Sequence, residues 1–84
     1  MSYYNYVNVL GYVKEVNKDE KFLKLEIDRS TTIKISLPEE LAYPVYQVPE
    51  GKMLGIKGRL AVDQSGKIGI IGERIIGFEN KESE

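Results

Sequence analysis

The side chains with the clearest chemical potential in this sequence are cations and aromatic rings that alternate with apolar residues. Lysine and arginine neutralise phosphate groups, and flat rings stack on bases, so this combination suits the binding of a single-stranded nucleic acid. The candidate binding residues are Tyr12, Lys14, Phe22, Lys24, Lys34, Lys57 and Arg59.

Each of these cations, taken singly, could equally be the ordinary solvated side of a half-buried sheet. Acidic residues at the equivalent positions are few: Glu26 and Asp28, with Glu15 at the end of a run. The scarcity of acids favours a binding role for the cations as a set.

Lys57 and Arg59 have the most informative spacing. They stand two residues apart in a strand-like run, so both side chains leave the same face. Gly58 between them is expected to point inward, where the missing side chain lets a neighbouring element come close. Arg59 can also stack on a base through its planar guanidinium group.

Residues suited to catalysis or metal binding are scarce. The chain has no His and no Cys, which removes the common bases, nucleophiles and zinc ligands. Glu39 and Glu40 are adjacent, and neighbouring helical positions point in different directions, so they do not form a facing carboxylate pair. We therefore expect a protein that is not an enzyme, with no cofactor and no metal site.

A chain this short is expected to gain stability from oligomerisation. A domain of 84 residues is marginally stable unless disulfides, a metal or association help. Without Cys or His, association remains, so we expect a homo-oligomer, either a dimer or a tetramer. The first strand or the Tyr3–Tyr6 arm would form the contact, since tyrosine is favoured at interfaces.

The charge and the chain ends give further expectations. The formal net charge is −1, so any basic surface has to come from placing cations on one face. The N-terminal residues lack a signal-peptide pattern, and no apolar run is long enough to span a membrane. A cytoplasmic protein without a membrane partner is expected.

Period-two alternation of β-branched residues predicts an all-β domain. Strands are expected near 6–16, 22–29, 32–37, 52–62 and 67–78, and Pro38 with the acids after it predicts one short helix within 38–48. The apolar positions expected inside include Ile27, Leu60 and Val62. Glycines at 69, 72 and 77 interrupt the last run and indicate bulges.

The order β-β-β-α-β-β is that of a five-stranded OB-fold barrel closed by a short helix. The competing interpretation is an open meander covered by the helix. Residues 1–78 would form this OB-fold domain, and 79–84 a short polar tail.

The segment PEGKMLGIKGRLAVDQSGKIGIIGERIIGFE resembles the C-terminal half of the OB domain of bacterial single-stranded DNA-binding proteins. The matching residues are Gly51, Gly58-Arg59-Leu60 and Glu73-Arg74-Ile75, with Gly11 in the similar first strand NYVNVLGYV. The resemblance covers nearly the whole chain and implies single-stranded DNA binding, self-association and a role in DNA replication.

The chain departs from that family in three places. It has no Trp, and it carries Ser30, Thr31 and Ser36 where the third strand of the family offers stacking aromatics. The loop before the last strand is cut to about four residues, a compact hairpin length. The chain also ends in ENKESE, without the acidic tail and terminal Pro-Phe of the family.

Two functions are consistent with these observations. In the first, a groove across the second, third and fourth strands holds a DNA backbone through Lys24, Lys34, Lys57 and Arg59, while Tyr12 and Phe22 stack on bases; RNA is a possible ligand too. In the second, the domain is a protein–protein interaction module that does not bind nucleic acid. The fold alone does not choose between them.

Overall fold

The computed structural model describes residues 5–78. It has five strands and one helix: β1 (Tyr6–Asn17), β2 (Phe22–Asp28), β3 (Thr31–Ser36), α1 (Glu39–Tyr46), β4 (Met53–Val62) and β5 (Ile68–Phe78). Each bound lies within about one residue of the sequence prediction. The predicted tail at 79–84 and the Tyr3 and Tyr4 part of the N-terminal arm lie outside the described residues.

The strands close into a barrel in the order β1-β2-β3-β5-β4. All neighbouring pairs are antiparallel except β3 and β5, which run parallel through Ile35 opposite Ile70 and Ser36 opposite Ile71. Closure gives each strand a hydrogen-bonded neighbour on both sides. The predicted OB-fold barrel is therefore confirmed, and the open meander is wrong.

β1 holds the barrel together because it pairs with a different strand along each half. Tyr6 to Tyr12 run opposite β4, whereas Tyr12 to Asn17 run opposite β2. A register shift between Val13 and Glu15 marks the bend between the two halves. Tyr12 consequently stands at the corner where the two pairings meet.

The core consists of side chains that the strands turn inward, with α1 closing one end. The completely buried aliphatic side chains are Leu23, Leu25, Ile35, Leu54, Ile56 and Val45. Pro38 stands immediately before the helix, and Glu39 and Glu40 occupy its first turn, where acids suit the positive end of the helix dipole. Pro44 lies within the helix, although proline cannot donate a backbone hydrogen bond, and the helix ends two residues later.

Three apolar side chains that were expected inside are exposed. Val62 is 67% exposed, Ile27 is 44% exposed and Leu60 is 38% exposed. β3 pairs with β5 only around Ile35, so β3 and the far end of the β4–β5 hairpin stand apart. The inward faces of Leu60 and Val62 therefore line an open cleft instead of the core.

Close approach of the backbone explains two of the glycines. A Cβ atom on Gly58 would lie 2.6 Å from the carbonyl oxygen of Ile71, and one on Gly72 would lie 2.7 Å from a methyl group of Leu41 on α1. Gly58 points inward, as predicted. The pairing of β4 with β5 shifts register at Glu73 and again at Ile76, which confirms bulges beside Gly72 and Gly77. The bulge expected at Gly69 is wrong, since Gly69 pairs with Ala61 in regular register. Within residues 5–78, the helix α1 lacks the length and apolar character needed to cross a bilayer.

Candidate nucleic-acid interface

The candidate binding residues of β2 and β3 meet on one outer surface, called here the β2–β3 wall. Lys24 stands directly opposite Lys34 across the strand pair, and Phe22 stands opposite Ser36. The Nζ atom of Lys34 lies 4.4 Å from the centre of the Phe22 ring, and that of Lys24 lies 5.9 Å from it. The alternation therefore brings together three of the predicted residues, as two ammonium groups over one ring.

The two lysines cover the ring that was expected to stack on bases. Phe22 is only 8% exposed, and the ammonium groups of both lysines lie over its ring. A base can reach this ring only if the lysine side chains move aside. The arrangement presents charge more readily than a stacking platform.

Electrostatic compensation on this wall is incomplete. Lys24 lies 3.7 Å from a carboxylate oxygen of Glu15, and Lys14 lies 3.6 Å from one of Glu26. Lys34 forms no ion pair with any residue in the described part of the chain. Like charges directly opposite each other destabilise a sheet, so an anion placed between Lys24 and Lys34 would relieve their repulsion.

A cleft continues the β2–β3 wall beyond Lys34. It lies between β3 and the β4–β5 hairpin and has a volume of about 720 Å³. Its walls include the apolar side chains of Leu60, Val62 and Ile68, with Lys34 at one side and Lys67 at the other. Ile68 is 66% exposed. An open apolar slot between cations has the chemistry to receive a flat ring attached to a charged backbone.

Asp63 orders the hairpin tip that borders this cleft. One of its carboxylate oxygens accepts hydrogen bonds from the Ser65 hydroxyl at 2.7 Å, the Ser65 amide at 2.9 Å and the Lys67 amide at 3.0 Å. The Ser65 hydroxyl and the Lys67 amide hold the pKa of this carboxyl below its usual value. Gly66 supplies the positive φ that the turn needs.

The order of this tip is expected to depend on pH. Because the pKa of Asp63 is lowered in the folded tip, the hydrogen bonds are present above the ordinary pKa of aspartate and are lost as the pH falls through the lowered value. NMR titration should show the amide signals of Ser65 and Lys67 shifting together, with a midpoint below that of an unperturbed aspartate. Asp63→Asn is the control and should abolish this titration; an unshifted midpoint in the wild-type protein would contradict the assignment.

Lys57 and Arg59 lie on a different surface, called here the β1–β4–β5 wall. Lys57 stands between Asn8 of β1 and Arg74 of β5. Its Nζ atom lies 4.8 Å from the centre of the Tyr6 ring. Arg59 stands opposite Tyr6, and its Nε atom lies 3.3 Å from a carboxylate oxygen of Glu73.

The expected groove across the second, third and fourth strands is therefore wrong as a single surface. In the closed barrel β1 separates β4 from β2, and β5 separates β4 from β3. Lys57 lies beside Asn8, near the start of β1, whereas Lys24 lies beside Glu15, near its end. These two positions are roughly 20 Å apart along the strand.

Sequence reasoning missed Arg74 because of a bulge. Strict alternation along β5 from the buried Ile70 would turn residue 74 inward. The register shift at Glu73 inserts one residue, so Arg74 comes to stand opposite the outward Lys57. Only the glycines near this point hinted that the alternation would change.

Tyr12 lies opposite Glu26 of β2 and Met53 of β4, within an exposed apolar patch. The patch consists of Leu10, Tyr12, Met53, Ile76 and Phe78. Leu10 is 62% exposed and Phe78 is 60% exposed. All of these except Ile76 border a hollow of about 530 Å³, and the side chains of Leu10 and Ile76 meet over Gly55. Exposed apolar clusters of this kind commonly mark contact surfaces.

Comparison with known proteins gives similarity in structure only. No protein-family model matches the sequence, and no curated protein is similar to it. The mitochondrial single-stranded DNA-binding protein Rim1 from S. cerevisiae superposes with a TM-score of 0.63 at 15% identity, over 86% of this chain and 90% of that one. A chain of the S. pombe Stn1–Ten1 complex gives a TM-score of 0.63 at 13% identity, over 93% of this chain and 59% of that one. At these identities the likeness extends to the fold, and the chain is an OB-fold domain.

Proposed function

We propose that this protein is a non-catalytic single-stranded nucleic-acid-binding module, with single-stranded DNA as its main ligand. The observation that carries the proposal is the cross-strand pair of Lys24 and Lys34, which stand opposite each other over Phe22. Lys34 of this pair borders an open apolar cleft. The similarity in fold to a protein described as binding single-stranded DNA supports the same function.

Binding would begin with a phosphate between the two lysines. Lys34 contributes most, because it gives up no ion pair within residues 5–78 when a phosphate arrives. Lys24 and Lys14 have to share or release the carboxylates of Glu15 and Glu26. These exposed ion pairs cost little to break, since surface pairs are generally worth under about 1 kcal/mol.

The cleft beside Lys34 gives the module its preference for single strands. A base that has left its stack can place its flat face against Val62 or Ile68, which line the slot and are largely exposed. Bases in a duplex are paired and stacked, so they offer no free face to such a slot. The phosphates of a duplex could still reach the lysines, but without this contribution from the bases.

Fluorescence anisotropy with labelled oligonucleotides tests the proposal. Oligomers of dT and rU of about 12 nucleotides fall within the range of one OB fold. We expect saturable binding of dT at low salt, with a duplex of the same length as a poor competitor. Absence of binding to both single strands, or equal competition by the duplex, would contradict the proposal.

A second candidate function, association with protein, is favoured by the apolar patch around Leu10 and Phe78. We propose a second copy of this chain as the partner, giving a homo-oligomer. A self-complementary patch of apolar and tyrosine side chains suits a two-fold contact, and burying it would help a domain with little core of its own. This surface is distinct from the β2–β3 wall, so the two functions can operate in one protein.

A further inference from the structure

We propose that the β1–β4–β5 wall carries a second, separate binding surface for a nucleic-acid backbone, centred on the cross-strand pair of Lys57 and Arg74. This inference rests on the proposed function and extends it. It assigns a binding role to Arg74 and Tyr6, which the alternation of the sequence did not single out.

The charge on this row is uncompensated. Lys57 and Arg74 stand directly opposite each other, with Asn8 completing the row on β1. Neither cation forms an ion pair with any residue of the described segment 5–78. The nearby carboxylate of Glu73 lies against Arg59 instead, at 3.3 Å. An ordinary solvated sheet face intersperses both signs of charge, because like charges opposite each other destabilise it.

The β5 bulge is what places this pair. The extra residue at Glu73 turns Arg74 to the outside and, by the same shift, gives Arg59 a carboxylate neighbour. The result is a row of three polar side chains on three adjacent strands, with its two cations on β4 and β5. A phosphate lying over β4 could accept from both cations at once.

Tyr6 indicates which polyanion this surface suits. Its ring is 45% exposed, and the Nζ atom of Lys57 lies 4.8 Å from the ring centre. A flat, half-exposed ring beside two cations matches a ligand that carries both phosphates and bases. An acidic protein surface would supply the anions, but it would offer no regular series of flat rings to the tyrosine.

The barrel keeps this surface apart from the β2–β3 wall, since β1 and β5 separate β4 from the other two strands. A strand long enough to pass around the barrel can contact both surfaces. A short strand occupies one at a time, so two short strands can bind one chain. This difference supplies the test.

The test uses dT strands of two lengths. Calorimetric titration of the full chain uses dT of about 8 nucleotides, which is within the site size of one OB fold. Anisotropy uses dT of about 35 nucleotides, which is longer than that site size. Wild type should bind two short strands per chain, and Lys57→Gln/Arg74→Gln should bind one. For the long strand the variant should lose about tenfold in affinity, and its salt slope should become shallower by about 1.4, or 0.7 for each lost phosphate contact.

The matched control is the exchange variant Lys57→Arg/Arg74→Lys, which keeps both charges and should behave as wild type. Urea unfolding checks that the glutamine variant is folded. If it is not, the single variant Lys57→Gln replaces it, and its salt slope should change by about half as much. If wild type binds no oligonucleotide, the proposed function fails and this inference with it. If wild type binds but the glutamine variant keeps its stoichiometry, affinity and salt slope, this inference alone is overturned.

Discussion

Reversing both charges over Phe22, in Lys24→Glu/Lys34→Glu, is expected to weaken binding of single-stranded DNA by roughly 100-fold at low salt. A hydrogen bond to a charged group contributes about 1.5 kcal/mol or more, so loss of two costs about 3 kcal/mol. The salt dependence should also become shallower by about 1.4 in slope, because two phosphates are no longer neutralised. Anisotropy titration of labelled dT at several salt concentrations measures both quantities.

The charge-preserving double variant Lys24→Arg/Lys34→Arg is the control and should stay within about threefold of wild type, since a phosphate contact needs the charge more than the shape of the donor. Urea unfolding should place the glutamate variant within about 1 kcal/mol of wild type, because both lysines are at the surface. A glutamate variant that is folded and still binds as tightly as wild type would exclude the β2–β3 wall as a binding surface.

Self-association gives the second large effect. Replacing Leu10 by glutamate is expected to raise the dimer dissociation constant by about 30-fold, which corresponds to a hot-spot cost of about 2 kcal/mol. Leu10 is 62% exposed in the single chain, so the charge costs the isolated barrel little. In the complex it would be buried against a second apolar patch without a partner. Sedimentation velocity over a range of protein concentrations measures the change.

The control for this variant is Val62→Glu, since Val62 is about equally exposed but lies in the cleft on another side of the barrel. Val62→Glu should leave the dimer intact. If Leu10→Glu and Val62→Glu both leave the association unchanged, or if wild type is a monomer at all concentrations, the apolar patch is not an interface between copies.

The fold could be predicted from sequence because every strand carries its own local signal. Alternation of aliphatic and polar residues located the strands, and Pro38 with two acids located the helix. The order of elements then restricted the topology to a small number of choices. Closure itself, and the pairing of β3 with β5 through Ile35 and Ser36, depend on contacts between distant segments.

The site could be predicted only in part, because alternation gives the face of a strand and not its neighbours. It identified Lys24, Lys34 and Lys57 as outward, but it could not show that β4 lies on the far side of β1 from β2. It missed Arg74, since a bulge reversed the alternation there. It also treated Phe22 as an open ring, although the ring is buried and the ammonium groups of two lysines lie over it.

The apolar residues of the β4–β5 hairpin show the same limit. Val62 and Ile68 follow the pattern of buried positions, yet both are largely exposed because β3 pairs with β5 only at Ile35 and Ser36 and stands apart from the hairpin beyond them. The cleft they line includes Lys34 of the β2–β3 wall. A departure from the core pattern thus coincides with the candidate site, as is common for functional surfaces.

Binding of wild-type protein to a long dT strand should depend on salt if the four cations neutralise phosphates. We expect the logarithm of the association constant to fall linearly with the logarithm of salt concentration. The slope should be about −3, because Lys24, Lys34, Lys57 and Arg74 each neutralise one phosphate at about −0.7. A slope near zero, or no detectable binding at the lowest salt, would contradict the account.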